Sequence, residues 1–116
     1  MAKKRIIFEL GQGTSLRQED YSKAAVRAVK DALWRNSVNV SEAFGLKKSD
    51  MIVEVLLGAQ EPDKIDKEMV KAIFPYGSIS IKNVFGGLDV AKPNDGGKTV
   101  IVTAAIIVSL NVERVI

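Results

Sequence analysis

The side chains able to do chemistry in this sequence are few in kind. Among its 116 residues there is no histidine and no cysteine. That excludes a thiolate nucleophile, a disulfide, a Ser-His-Asp triad, an imidazole base and any metal site built on Cys or His. Asp, Glu, Lys, Arg, Tyr, Ser, Thr and backbone N–H groups remain. The first candidate site is Gly11-Gln12-Gly13-Thr14-Ser15-Leu16-Arg17-Gln18, which joins a strand to a helix. Gly11 and Gly13 allow backbone N–H groups to converge on an anion. Arg17 offers a two-pronged contact to a carboxylate or phosphate. The segment lacks the third glycine of a dinucleotide fingerprint and the Lys-Ser/Thr of a P-loop. The same residues read equally as a tight turn and a helix cap, with Ser15 and Gln18 as a capping box.

A second group is Lys23, Arg27 and Lys30, of which Lys23 and Arg27 lie four residues apart and share a helix face. With Ser15 they make an anion pocket, or Ser15 and a desolvated lysine serve as nucleophile and base. The plain alternative is a solvated helix face. A third group is Tyr76 with Gly86 and Gly87, where glycines admit a ligand to the backbone and Tyr76 donates; a helix stop and a β-bulge explain these residues too. Glu9 and Glu54 stand in apolar strands. Burial there raises a carboxyl pKa towards that of a general base, while pairing with Lys or Arg is the simpler reading. No cofactor and no metal are expected.

The elements that must position these residues follow from periodicity. Residues 5–10 form a strand rich in β-branched and aromatic side chains. Residues 20–35 form a helix, with Ala25, Val26, Val29, Ala32 and Leu33 on one face and alanines small enough for close approach to a sheet. A connection with a short helical turn near 41–44 leads to a strand at 51–57. A helix at about 64–74, capped at Asp63 or a neighbour, carries Ile65, Met69, Val70, Ile73 and Phe74 as one stripe. A half-exposed strand at 78–85 meets a bulge or sharp bend at Gly86-Gly87. Pro93-Asn94-Asp95-Gly96-Gly97 is a hairpin loop. Residues 99–112 form a long apolar strand that belongs in the middle of the sheet or at a subunit contact.

Size and charge bound the rest. One domain is expected at this length. The chain is 47% hydrophobic and 27% charged, with 17 basic and 14 acidic residues for a net charge of +3. That excess is too small, and the aromatics too scattered, for nucleic-acid binding. The basic start is followed by only a short apolar run interrupted by Glu9, unlike a signal peptide. No apolar stretch reaches the ~20 residues of a membrane helix. A cytoplasmic protein is expected.

Residues 20–32, together with Pro75-Tyr76-Gly77 and Gly86-Gly87-Leu88, resemble a small, widely distributed bacterial family of uncharacterised function. That family carries an N-terminal Gly-x-Gly-x-Asp-x-His-Gly motif. Both glycines are kept here, but Ser15 replaces its Asp, Arg17 its His and Gln18 its Gly. The replacement moves the implied chemistry from metal binding or proton transfer towards anion recognition. The element order also resembles chorismate-mutase-like folds, including small trimeric deaminases and the repeated units of cyanuric acid hydrolases. That resemblance implies three units with sheets packed inward and ligands in the clefts between them.

The expected fold is therefore α+β, ordered β-α-β-α-β-β. It has a four-stranded mixed sheet with two helices packed on one face, and it forms trimers that bury the other. The expected function is binding of a small anionic or cyclic nitrogenous metabolite at intersubunit clefts, with hydrolysis of a cyclic amide as its catalytic form. Gly11, Gly13, Ser15, Arg17, Lys23, Arg27, Tyr76, Gly86 and Gly87 are the ligand-binding candidates. The alternative is a non-catalytic structural or regulatory subunit, paired with itself or with a paralogous chain.

Overall fold

In a computed structural model of the chain, residues 3–34, 51–74 and 77–111 are described. The expected turn at 41–44 and the candidate Tyr76 lie outside these residues. The elements are β1 (Lys3–Ser15), α1 (Tyr21–Trp34), β2 (Ile52–Ala59), α2 (Lys67–Lys71), β3 (Ser78–Phe85), β4 (Leu88–Ala91) and β5 (Lys98–Asn111). The strands form one mixed sheet in the order β1-β5-β2-β3, with β4 also paired to β5. Only the β2–β3 pair is parallel. The architecture is α+β as expected, but with five strands rather than four.

Both helices pack on one face of the sheet. Ala24, Ala25, Ala28, Val29 and Ala32 of α1 and Val70 of α2 are fully buried against Val55, Leu57, Val100, Val102 and Ala104 of the sheet. Among the described residues no helix is long and apolar enough to cross a membrane.

The first strand runs five residues past its expected end. Gly11 and Gly13 read as a turn signal, yet they pair with Ala104 and Val102 inside the sheet. A Cβ at Gly11 would sit 2.3 Å from the Ala28 carbonyl oxygen, and one at Gly13 would sit 2.2 Å from that of Ala24. The glycines serve contact between strand and helix, where no side chain fits.

The fifth strand arises at Gly86-Gly87. β5 pairs with β2 through residues 103–109 and with β4 through residues 98–101. After β3 the chain therefore steps sideways around the end of β2 and resumes its place along β5. The Gly86 N–H donates to the Ala59 carbonyl at 3.0 Å. Gly87 has φ +61, and a Cβ there would lie 2.3 Å from the Ile101 carbonyl oxygen. The bend was expected from the glycine pair; the new strand beyond it was not.

The second helix is shorter than its apolar stripe predicts. A 3-10 turn at Pro62–Lys64 is followed by extended backbone at Ile65 and Asp66 before α2 begins. Buried Ser22 of α1 holds the chain at this break. Its Oγ accepts from the Asp66 N–H at 2.8 Å and donates to the Lys64 carbonyl at 3.3 Å. Asp66 caps α2 by accepting from the Glu68 N–H at 3.0 Å. The loop at Pro93-Gly97 closes a β4–β5 hairpin as its turn chemistry predicts, with the Lys92 N–H donating to the Gly97 carbonyl at 2.8 Å.

Candidate functional site

Where β1 ends, three bend residues lead into the first turn of α1. Ser15, Leu16, Arg17, Gln18, Lys23 and Arg27 line an open cleft there of about 370 Å³. Local hydrogen bonds build it. Asp20 caps α1 by accepting from the Lys23 N–H at 3.0 Å, so the Ser15–Gln18 capping box does not form. The Oγ of Ser15 instead accepts from the Asp20 N–H at 3.1 Å, which folds the bend back on the strand. An Arg27 guanidinium nitrogen donates to the Thr14 carbonyl at 2.7 Å. One turn further along, Asp31 accepts from the Gln12 N–H at 3.0 Å. These two contacts satisfy outward backbone groups on an edge strand, which otherwise invites pairing with another chain.

The cleft thus gathers three cations, Arg17, Lys23 and Arg27, with no carboxylate in its lining. Arg17 and Lys23 form no ion pair among the described residues. Arg27 commits one guanidinium nitrogen to Thr14 and keeps the rest of its fork. Such a set is able to donate charge-assisted hydrogen bonds to a small anion. Ser15 lies buried, with Oγ engaged by the backbone, and Lys23 lies exposed on the helix. Neither group is in the state a serine–lysine nucleophile pair requires.

The other candidates lie apart from this lining. Gly11 and Gly13 sit beneath α1, and Gly13 would place a Cβ 2.7 Å from that of Arg27. Their contribution is to bring α1, and with it Arg27, down onto the strand. Gly86 and Gly87 lie at the end of β2, where their carbonyls accept from the Gln60 side-chain amide at 3.0 and 3.2 Å. Lys30 is exposed and outside the cleft lining. Glu9 and Glu54 pair in register with Ile106 and Ile107, consecutive residues of β5 whose side chains point to opposite faces. They form no carboxylate pair.

A polar cluster absent from the sequence reading adjoins the same helix end. The Tyr21 hydroxyl lies 2.9 Å from Glu61 Oε2 and 2.5 Å from Asp89 Oδ2, sharing its one proton between two carboxylates. Lys98 Nζ bridges the same oxygens at 2.7 and 3.0 Å. Lys64 Nζ meets Glu61 Oε1 at 3.1 Å. Burial, and next the Asp89 carboxylate, push the Tyr21 hydroxyl up to about 12. Lys98 above all, then Tyr21 and Lys64, draw Glu61 down to about 2. The Glu61 carboxylate, then Tyr21 and Asp89, hold the Lys98 ammonium protonated well above the ordinary lysine value. These shifts favour the neutral phenol, the carboxylate and the ammonium across the neutral range. The cluster joins α1 to the turn after β2 and to the β4–β5 hairpin as an electrostatic clamp. Lys64 and Glu61 are a local i,i+3 pair, but the bonds that tie Tyr21 and Lys98 to Glu61, and Tyr21 to Asp89, span 37 to 68 residues of chain. No local spacing marks them in the sequence.

Among the described residues no group of three or more Asp or Glu side chains could hold a metal ion. Comparison with known proteins places this arrangement in a family. A family model described as "Conserved hypothetical protein (Lin0512_fam)" matches residues 5–108. The crystal structure of an FtsZ-like protein of unknown function from Nostoc punctiforme PCC 73102 is similar at a TM-score of 0.84. It is 31% identical, over 96% of this chain and 98% of that one. No curated protein matches the chain.

Proposed function

We propose that this chain, which belongs to the Lin0512 family of conserved hypothetical proteins, binds a small anionic metabolite in the cleft at the start of α1. The observation that carries the reading is a lining of three cations with no carboxylate, around about 370 Å³. That volume suits a ligand of metabolite size. Carboxylates and phosphates fit the donor set best. A cyclic nitrogenous ring would have to present its carbonyl or deprotonated ring oxygens to the same cations.

The reading is one of binding without turnover. Hydrolysis of a cyclic amide needs an activated nucleophile and a base, and the Oγ of Ser15 is occupied by the Asp20 N–H. This favours the ligand-sensing or regulatory form of the non-catalytic alternative.

The test is a thermal-shift and calorimetric panel of inorganic phosphate, small dicarboxylates and cyclic ureides. The expected result is binding of an anion that weakens with added salt, because the cations are exposed. Arg17→Ala and Lys23→Ala remove charges that no described contact needs for folding. Each should weaken binding by about tenfold, the equivalent of ~1.4 kcal/mol. Silence across the panel, or binding that both variants leave unchanged, refutes the assignment. Turnover of a ureide refutes the non-catalytic form.

A further inference from the structure

Both described helices lie on one side of the sheet, and among the described residues none lies over its other face. Strand alternation sends Leu10 of β1, Leu56 of β2, and Leu88 and Val90 of β4 to that face, together with Phe8. They are 50%, 38%, 60%, 50% and 50% exposed respectively. The register sets them in two groups along β5. Leu10 and Leu56 flank Ala105 on either side, and Leu88 lies beside Ile101. An apolar surface along both edges of the central strand, bordered by exposed Ser78, Ser80 and Lys82 of β3, has the plan of an interface core with a polar rim.

We propose that this face is buried against the same face of further copies of this chain. Its size fits. At ~3.4 Å by ~4.8 Å per strand residue, the five strands present roughly 800 Å², and a standard interface takes about that area from each partner. Its relief is self-complementary. The register aligns Gln12, Thr103 and Gly58 in one row across β1, β5 and β2. Thr103 and Gly58 make that row low. On one side of it stand Leu10 and Leu56, and on the other Leu88 and Val90. Stacked sheets approach to ~10 Å by seating the ridges of one in the hollows of the other. A face with both features can do so against itself.

Its charge permits the same. Where their side chains are described, the strand residues directed to this face include one acidic and one basic residue, Glu54 and Lys82, so like faces carry no net repulsion. The self-complementary relief and the balanced charge assign the occupant to a second copy of this chain.

The test is solution mass by light scattering and sedimentation between about 1 and 100 µM. The wild-type chain should sediment as a discrete oligomer. Leu56→Lys and Val90→Lys change exposed positions and should weaken association at least 100-fold while keeping a native circular dichroism spectrum and cooperative melting. Met69→Lys changes an equally exposed apolar residue on α2, away from this face, and should leave the oligomer intact. A wild-type monomer at 100 µM overturns the proposal. So does an oligomer that both sheet variants leave unchanged. Anion binding by the isolated cleft is scored separately, so either assignment can fail alone.

Discussion

Replacing Gly13 with alanine should cost this protein far more than one methyl group suggests. The new Cβ would lie 2.2 Å from the Ala24 carbonyl oxygen and 2.3 Å from the Ala28 nitrogen. Real Cβ contacts essentially never fall under 3.0 Å, and both obstacles are helix backbone that cannot rotate aside. Helix α1 must therefore retreat by roughly 1 Å, and a gap of that size forfeits about a quarter to a half of the local dispersion attraction. The face that loses contact is the fully buried row of Ala24, Ala25, Ala28, Val29 and Ala32. A cost of about 3 kcal/mol follows, at the upper end for overpacked cores because backbone is the obstacle. In a domain near this size that lowers Tm by about 12 °C or more. Gly58→Ala is the control, since its Cβ would meet nothing closer than 3.4 Å. It should cost under about 1 kcal/mol. Calorimetry of both variants decides. If Gly13→Ala melts within ~2 °C of wild type, the close contact between strand and helix is wrong. The same variant should also loosen anion binding, because Arg27 travels with the helix.

Further outcomes concern the clamp and the break before α2. Of the two tyrosines in the chain, Tyr21 should ionise near pH 12 in phenolate absorbance, and Tyr21→Phe should abolish that late phase. Because its folded pKa is raised from 10.0, the associated stability is complete below pH 10 and lost as pH rises through about 12. Glu61 has the opposite sign: depressed from 4.5 to about 2, it supports the fold above pH 4.5 and loses that contribution as pH falls through about 2. Acid denaturation of Lys98→Met should show a smaller slope across that window, and an unchanged slope refutes the clamp. Ser22→Ala strips two hydrogen bonds from a buried position and should cost about 1–3 kcal/mol in urea unfolding.

The cleft was partly legible in the sequence because its residues are near neighbours. Ser15, Arg17, Lys23 and Arg27 fall within thirteen positions, and one strand end and one helix turn bring them together. The roles of Gly11 and Gly13 were not legible. Paired glycines signal a turn unless a helix occupies the space their missing side chains leave, and that helix is a tertiary partner. Gly86 and Gly87 marked their bend correctly, since a positive φ is a local property, but which strand the bend leads to is not. The clamp of Tyr21, Glu61, Asp89 and Lys98 had no sequence signature at all.

By itself the sequence determined what depends on neighbouring residues. Missing His and Cys removed whole classes of chemistry, 3.6-residue and two-residue periods set helix and strand type, and Pro and Gly placed the turns. Tertiary structure decided what depends on distant residues. Ser22 holds the extended residues before a helix whose apolar stripe would have started it earlier, and the glycine strand lengthened because α1 lies directly upon it. The carboxylates at 61 and 89 met one lysine and one phenol through the pairing of β4 with β5 and the packing of α1 on the sheet. Hydrogen bonds and burial act through space, and chain order constrains space only over a few residues.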